Sequence, residues 1–288
     1  MAGRFLSALA GLLALTGVAG SHSAGAQVFP AQTQVVPERP PSNCLAIAER
    51  LPKARYVNLT LAQAGVPKGS VKIEYAGHST FYITSPGGVT IATDYAGFHG
   101  RRAVPKVVTM NKAHETHYTD SPDPSIEHVL RGWNPEGGRA SHNVEIGDVL
   151  VRNVTTDIRA WGVPEKDANS IFIFEVADLC IGHLGHLHHE PTPAQYALIG
   201  RLDVVMAPVD GGMTLDLPTM IRVLKRFRSR VVIPMHWFSL YALDDFLAGM
   251  ADEFAVVEVG GPALEMSLDR LPSRPTIMVL RPAYLTER

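Results

Sequence analysis

The residues of this chain best suited to chemistry are histidines, and two of them lie three apart in a short polar segment. His114 and His117 belong to VVTMNKAHETHYTD, residues 107–120. This segment opens with the strand-like Val107–Thr109 and then turns polar, and folds often place functional side chains where a rigid strand passes into a loop. Imidazole is a common ligand of zinc and related ions, so this pair could bind a metal. Two histidines at this spacing are weak evidence by themselves, because such pairs are common on protein surfaces.

Further histidines downstream strengthen the case for a metal site. Five of the twelve histidines fall in two later stretches that also follow apolar, strand-like runs. Strand alternation places the first of them, His183, at a strand end and His186 in the loop beyond it. These five are His183, His186, His188, His189 and His236.

Composition and charge indicate a globular protein and give no sign of a nucleic-acid or membrane-surface partner. The net charge is −2, and the hydrophobic fraction is 46% with 25 Gly and 21 Pro. A near-balanced charge lacks the basic surface that binding to nucleic acid requires. We therefore expect a small-molecule substrate and no membrane span in the mature protein, and the sequence does not indicate an oligomeric state.

The first residues are typical of an export signal. Arg4 precedes an apolar run from Phe5 to Val18 that is too short to span a bilayer comfortably, and Ala24-Gly25-Ala26 offers a cleavage site. We expect residues 1–26 to be a signal peptide, residues 27–70 an arm with a short helix, and residues 71–288 the main domain. The mature protein is then expected in the periplasm or the extracellular medium.

Only two cysteines are present, Cys44 and Cys180. An oxidising compartment would permit them to pair. Cys180, however, lies in an apolar run that is typical of a buried strand, and 136 residues separate it from Cys44. The sequence alone favours two unpaired cysteines, with Cys180 packed in the core.

Hydrophobic periodicity and turn signals predict a β-rich chain with helices concentrated in its second half. One α+β domain is consistent with this length. The expected strands are 71–75, 80–84, 89–93, 107–109, 144–146, 149–153, 170–176, 179–182, 203–207, 231–234, 254–259 and 276–280, and the expected helices are 43–51, 125–133, 192–200, 216–227 and 240–250.

Several short motifs, in this order, resemble the metallo-β-lactamase-fold hydrolases, and most closely the ascorbate-6-phosphate-lactonase-like zinc-dependent branch. The resemblance covers about residues 71–280 and implies a four-layer αββα sandwich with the active site along one edge of its two sheets. The motifs that carry it are Tyr75–Phe81, Thr93-Asp94, the His114–His117 loop, Gly182–Gly185 and Ile233–His236.

The chain departs from that family's metal-binding pattern at three positions. The family motif His-x-His-x-Asp-His falls on residues 112–117, so Lys112 replaces its first histidine and Thr116 its aspartate. His186 stands where the family has a bridging aspartate. A neutral imidazole offers one lone pair and cannot bridge two cations as a carboxylate can. We therefore expect one divalent ion, most simply Zn²⁺, and the ligands that remain are His114, His117, His186 and His236.

Three more residues are assigned to the chemistry around this ion. Lys112 could hold a fixed positive charge toward a developing oxyanion, with one metal or none. Asp94 could orient a ligand histidine by accepting its free N–H, although it could equally be a turn residue. The resemblance implies a supporting role for His78 beneath the site.

Three classes of function remain open. The first is an exported metal-dependent hydrolase acting on an ester, lactone or phosphoester. The second is a non-catalytic periplasmic binding protein that keeps the fold and a histidine-lined pocket. A metal-handling protein with exchangeable sites is a third possibility, indicated only by His188-His189.

Overall fold

A computed structural model describes residues 42–45, 66–67, 69–159 and 163–285. The predicted signal peptide and most of the predicted arm and its helix lie outside these residues. Within the described part, none of the helices combines the length and apolar character needed to cross a bilayer. The strands are β1 (Ser70–Gly77), β2 (Thr80–Thr84), β3 (Thr90–Ala92), β4 (Val107–Met110), β5 (His128–Arg131), β6 (Asn143–Ile146), β7 (Val149–Ile158), β8 (Glu165–Val176), β9 (Leu179–His183), β10 (Val204–Pro208), β11 (Val231–Met235), β12 (Ala255–Glu258), β13 (Ala263–Ser267) and β14 (Thr276–Val279).

The strands form two mixed sheets. The first has the order β13-β1-β2-β3-β4-β5 and the second the order β12-β14-β11-β10-β9-β8-β7-β6. In the first sheet β3, β4 and β5 run parallel, and in the second β9, β10 and β11 run parallel. Because the carboxyl ends of parallel strands open onto one edge of a sheet, the loops after these strands are brought together.

The two sheets pack face to face through one apolar cluster. Ile73, Phe81 and Ile91 of the first sheet share it with Phe172 and Ile181 of the second, all without solvent exposure. Successive side chains of a strand point to opposite faces of its sheet, so the apolar residues on the outer faces must pack against other elements. The layered α+β sandwich expected from the sequence is therefore confirmed.

Helices cover the outer face of the second sheet. All three contribute buried residues to the apolar cluster on that face. Two begin as the sequence predicts: Asp216 caps one and accepts from the Thr219 amide, and Thr192 forms a capping box with Gln195. The α-helices are α1 (Pro193–Ile199), α2 (Leu217–Phe227) and α3 (Leu240–Met250), and 3₁₀ turns occupy Leu268–Arg270 and Ala283–Leu285.

Two sequence predictions about elements are wrong. Residues 125–133 contain strand β5 instead of a helix, because His128–Arg131 pairs in register with Val107–Met110 of β4. A four-residue apolar run carries no periodicity that separates helix from strand, so the neighbouring strand decides. The sequence analysis did not predict strand β13. This strand pairs with β1, which lies almost two hundred residues earlier in the chain, so no local pattern marks it.

The prediction of two unpaired cysteines is also wrong. Cys44 and Cys180 form a disulfide with a Cα–Cα distance of 5.9 Å. The buried Glu175 holds the cysteine-bearing segment in place, since its carboxylate accepts from the backbone amide of Asn43 at 2.8 Å and from Arg152 Nε at 2.8 Å. The hydrogen bond from Asn43 joins residues 132 positions apart, which no local pattern in the sequence reveals.

Candidate metal centre

The loop after β4 places two histidines at the edge of the sandwich. His117 N–H donates to the His114 carbonyl at 2.9 Å, and Asn111 N–H donates to the His117 carbonyl at 3.1 Å. The Asn111 side chain links both sheets, because its amide donates to Asp94 and its oxygen accepts from the Ser170 amide. The loop is therefore tightly held, with His117 fully buried.

His78 and His236 approach the same point from opposite sheets. His78 follows β1 and His236 follows β11, and the His236 N–H donates to the His78 carbonyl at 2.8 Å. Both residues have φ of 55°, and Asp94 has φ of 43°. Left-handed backbone is uncommon for residues other than glycine, and it occurs preferentially at functional sites. Three such residues around one point indicate that the chain is held there for a purpose beyond packing.

The imidazoles of four histidines converge. His78, His114, His117 and His236 each offer a ring nitrogen, and these atoms all lie within 4.8 Å of one another. The Nε2 atoms of His78 and His117 are 3.3 Å apart. Two nitrogens bound tetrahedrally to one zinc ion at about 2.0–2.1 Å are about 3.3 Å apart, so this spacing suits a shared cation.

Two buried carboxylates orient the ligand rings. Asp94 Oδ2 lies 2.6 Å from His117 Nδ1, and Asp210 Oδ2 lies 2.8 Å from His236 Nδ1. A ring that donates from Nδ1 to a carboxylate presents its Nε2 as the atom available to a metal. The Nε2 atom of His236 is buried and has no hydrogen-bond partner in the described part of the chain. A buried polar atom without a partner is costly, and a metal ion would satisfy it.

Burial keeps two of the four clustered rings, His78 and His114, neutral. Burial, followed by repulsion from neighbouring imidazoles, lowers the pKa of His78 to about 3 and that of His114 to about 4. These rings are uncharged at neutral pH, as metal binding requires.

The two carboxyl groups stay ionised. Burial would raise the pKa of Asp94, but the neighbouring His183 and His117 outweigh it and hold that pKa below its usual range. At Asp210 the hydrogen bonds from His236 and Thr214 likewise outweigh burial and lower the pKa. Two buried negative charges beside the four imidazoles would favour a divalent cation at this point.

His186 lies beside the four-histidine group, and the nearby His183 uses both ring nitrogens in hydrogen bonds. Its Nε2 is 3.2 Å from His114 Nε2, and its Nδ1 contacts His188 Nε2. His183 is buried, with Nε2 donating to the Ser79 carbonyl at 2.8 Å and Nδ1 accepting from the Gly185 amide. His183 thus braces the two sheets, and His189 is exposed.

Lys112 lies at the rim. Its ammonium group pairs with Glu165, and both side chains are about two-fifths exposed, at 43% and 39%. Thr116, at the position of the family's aspartate, lies with its hydroxyl 2.7 Å from His114 Nδ1 and 2.9 Å from His78 Nε2. A role for Lys112 toward an oxyanion stays a prediction.

The predicted site residues are therefore largely brought together. His114, His117 and His236 share one cluster, and Asp94 makes the hydrogen bond that the sequence analysis considered for it. His78 lies among the possible ligands rather than beneath them, and His186 lies at their edge. In the sequence, Asp210-Gly211-Gly212 is typical of a strand-end loop that could line the pocket, with a plain turn favoured. Asp210 instead contacts His236, and its place directly after the buried strand β10 is the position at which such carboxylates occur.

The chain matches known proteins over most of its length. Residues 72–236, more than half of the chain, match the family model described as the beta-lactamase superfamily domain. A UPF0173 metal-dependent hydrolase of Anaeromyxobacter dehalogenans (strain 2CP-C) is 24% identical over 231 residues, which cover 67% of this chain and 82% of that protein.

Solved structures show the same fold. A predicted Zn-dependent hydrolase of the metallo-β-lactamase superfamily from Thermotoga maritima has a TM-score of 0.53 and 27% identity, covering 73% of this chain and 98% of that one. A metallo hydrolase from Ignicoccus hospitalis has a TM-score of 0.50 at 15% identity, covering 69% and 99%, and supports the fold alone. The predicted sandwich of the metallo-β-lactamase type is confirmed.

Proposed function

Because this chain belongs to the beta-lactamase superfamily domain family, we propose that it is an exported metal-dependent hydrolase of a small-molecule ester, lactone or phosphoester. The observation that carries the proposal is the buried Nε2 of His236, which lacks a partner among the described residues and lies within 4.8 Å of ring nitrogens of three further histidines. The metal-dependent relatives support the same chemistry. The narrower likeness to the ascorbate-6-phosphate-lactonase-like branch stays a prediction.

We assign one Zn²⁺ to His78, His114, His117 and His236. Zinc at such a site polarises a carbonyl or phosphoryl oxygen as a Lewis acid. Asp94 and Asp210 hold two of the rings with Nε2 facing inward. A second ion is disfavoured because Thr116 and His186 stand where carboxylates would be needed, and neither side chain can bridge two cations.

Export is supported by two features. The first is the signal-like N-terminus, and the second is the Cys44–Cys180 disulfide, which is stable in oxidising compartments and rare in the cytosol. We therefore place the mature protein in the periplasm or the extracellular medium.

A non-catalytic binding protein is the second candidate. It is favoured by the ion pair of Lys112 with Glu165, which holds the ammonium group at the surface instead of over the histidines. Such a protein would keep the metal or a small anion in the pocket and release no product.

The deciding experiment is elemental analysis of the protein, purified without chelator, together with a His114→Ala/His236→Ala variant. His189→Ala, which alters an exposed histidine outside the cluster, is the matched control. We expect about one equivalent of zinc in the wild type and the control and almost none in the double variant.

Turnover of esters, lactones and phosphoesters by the zinc-loaded protein then separates the two candidates. Hydrolysis lost in the double variant supports the hydrolase. One bound ion without hydrolysis supports the binding protein. Two equivalents would contradict the mononuclear assignment, and none would contradict the metal site itself.

A further inference from the structure

A chain of hydrogen bonds fixes the proton of His186. It begins at the backbone N–H of Arg159, which lies 2.6 Å from Nδ1 of His188. A backbone amide can only donate, so Nδ1 of His188 must be an acceptor without a proton. The remaining proton of the His188 ring is then on Nε2.

The next link transfers this constraint to His186. Nε2 of His188 contacts Nδ1 of His186. Since His188 Nε2 carries a proton, it donates, and His186 Nδ1 accepts. The His186 ring must then carry its own proton on Nε2, which lies 3.2 Å from Nε2 of His114.

We propose that His186 presents its Nε2–H to the site as a hydrogen-bond donor for a substrate oxygen, and that it does not bind the metal ion. The inference rests on the proposed function only for the substrate and the metal; the position of the proton follows from the hydrogen bonds themselves. It assigns a new role to the residue that replaces the family's bridging carboxylate, with His188 as the positioning residue.

The alternative protonation patterns each break a contact. A doubly protonated His188 would direct Nδ1–H against the Arg159 N–H. A doubly protonated His186 would direct Nδ1–H against the His188 Nε2–H. If His186 bound a metal through Nε2, the proton of its ring would be on Nδ1. That proton would then face the Nε2–H of His188.

The surrounding structure holds the chain of hydrogen bonds rigidly. Arg159 is anchored by its guanidinium, whose Nη2 donates to the carbonyls of Gly212, Met213 and Thr214 at 2.9, 2.9 and 2.5 Å. The His186 N–H donates to Asn169 Oδ1 at 2.9 Å. His186 and His188 are both buried, so water does not compete for these bonds.

The consequence is chemical complementarity within the site. The imidazoles of His78, His114, His117 and His236 would offer lone pairs to a cation, whereas His186 offers a proton at the edge of the same cluster. Without a cation that proton faces the lone pair of His114 Nε2 at 3.2 Å; once His114 gives that lone pair to a cation, the His186 proton is available to another acceptor. A substrate oxygen that approaches the cation would find a fixed donor beside it, and such donors stabilise developing negative charge.

The first test is long-range ¹H–¹⁵N correlation NMR of the histidine rings in the wild-type protein. It is made before and after addition of zinc, and His186 is assigned by its missing signals in His186→Gln. We expect the Nε2–H form of His186 in both states. The Nδ1–H form in either state would overturn the proposal, and this measurement needs no activity.

The second test compares zinc affinity and turnover. His186→Gln should bind zinc within about threefold of the wild type, whereas His117→Gln should lose more than about a hundredfold, as for a lost ligand or its support. With zinc retained, kcat should fall by about 10²–10³, as for the removal of an oxyanion donor. An equal loss of zinc in both variants would overturn the proposal. If the wild type bound no zinc, the proposed metal site would fail while the NMR of the metal-free protein would still decide the role of His186.

Discussion

At the scale of single residues, the partner of each imidazole decides what that imidazole can do. His117 and His236 each give one proton to a carboxylate and keep a lone pair on Nε2. His183 uses both ring nitrogens on backbone groups and is left with neither function. Histidines that look equivalent in the sequence are thus sorted into ligands, supports and donors by their hydrogen bonds.

The stability of the metal-free protein should depend on pH through these rings. The pKa is about 3 for His78 and about 4 for His114 in the folded state, against about 6.5 in an unfolded chain. Between these values the unfolded chain binds more protons, so the free energy of unfolding falls as the pH falls from about 6.5 toward 4. We expect the urea midpoint of chelator-treated protein to drop steadily over this range.

A His114→Gln variant is the control for this dependence. It removes one of the two groups and should show a shallower fall over the same range. An unchanged urea midpoint between pH 7 and pH 5 in the wild type would contradict the expectation.

At the scale of elements, the site is built where strands end. The loops after β1, β4 and β11 supply the four possible ligands, and the loops after β3 and β10 supply the two carboxylates. Parallel pairing of β3 with β4 and of β10 with β11 makes these ends coincide. The Asp210 loop is fastened to itself, because Oδ1 accepts from the amides of Gly212, Met213 and Thr214.

The support that Asp210 gives to His236 can be tested by replacing its carboxylate. Asp210→Asn should weaken zinc binding by about 10- to 100-fold, because the amide no longer fixes the lone pair of His236 toward the ion. Competitive titration with a zinc indicator measures the loss. Asp216→Asn is the matched control, since this exposed residue caps α2 and lies outside the site. Equal affinity in both variants would show that Asp210 does not support the ligand.

The sequence alone could single out three of the four clustered histidines, but not the fourth or some of the elements around them. His114, His117 and His236 each follow an apolar run, and that local pattern is sufficient to mark them. The position of His78 among the ligands depends on the His236 amide contacting its carbonyl, which is a contact between two sheets. Strand β5 and the disulfide likewise depend on distant partners, and no window of sequence contains that information.

At the scale of the whole molecule, the disulfide joins the start of the described chain to the second sheet. It links Cys44 to Cys180 in β9 across 136 residues. Closing a loop of this length restricts the unfolded chain, which corresponds to about 5 kcal/mol in the chain-entropy model. Reduction, or a Cys44→Ser/Cys180→Ser variant, should therefore lower Tm markedly while leaving zinc content unchanged.

Thermal unfolding with and without reductant measures this effect, and the zinc content of the reduced protein is the internal control. We expect Tm to fall without a change in zinc content because, among the described residues, Asp94, Asp210 and the four clustered histidines make no contact with the cysteines. A Tm that does not change on reduction would show that the disulfide contributes little. Loss of zinc on reduction would show that the two regions are coupled.

The bond from the His236 amide to the His78 carbonyl joins the two sheets at the edge where the histidines meet. An ion held by the four proposed ligands would link the two sheets beside this bond, because His236 follows a strand of the second sheet and the other three histidines follow strands of the first. Such an ion would therefore hold the two sheet edges together more firmly than the backbone bond alone.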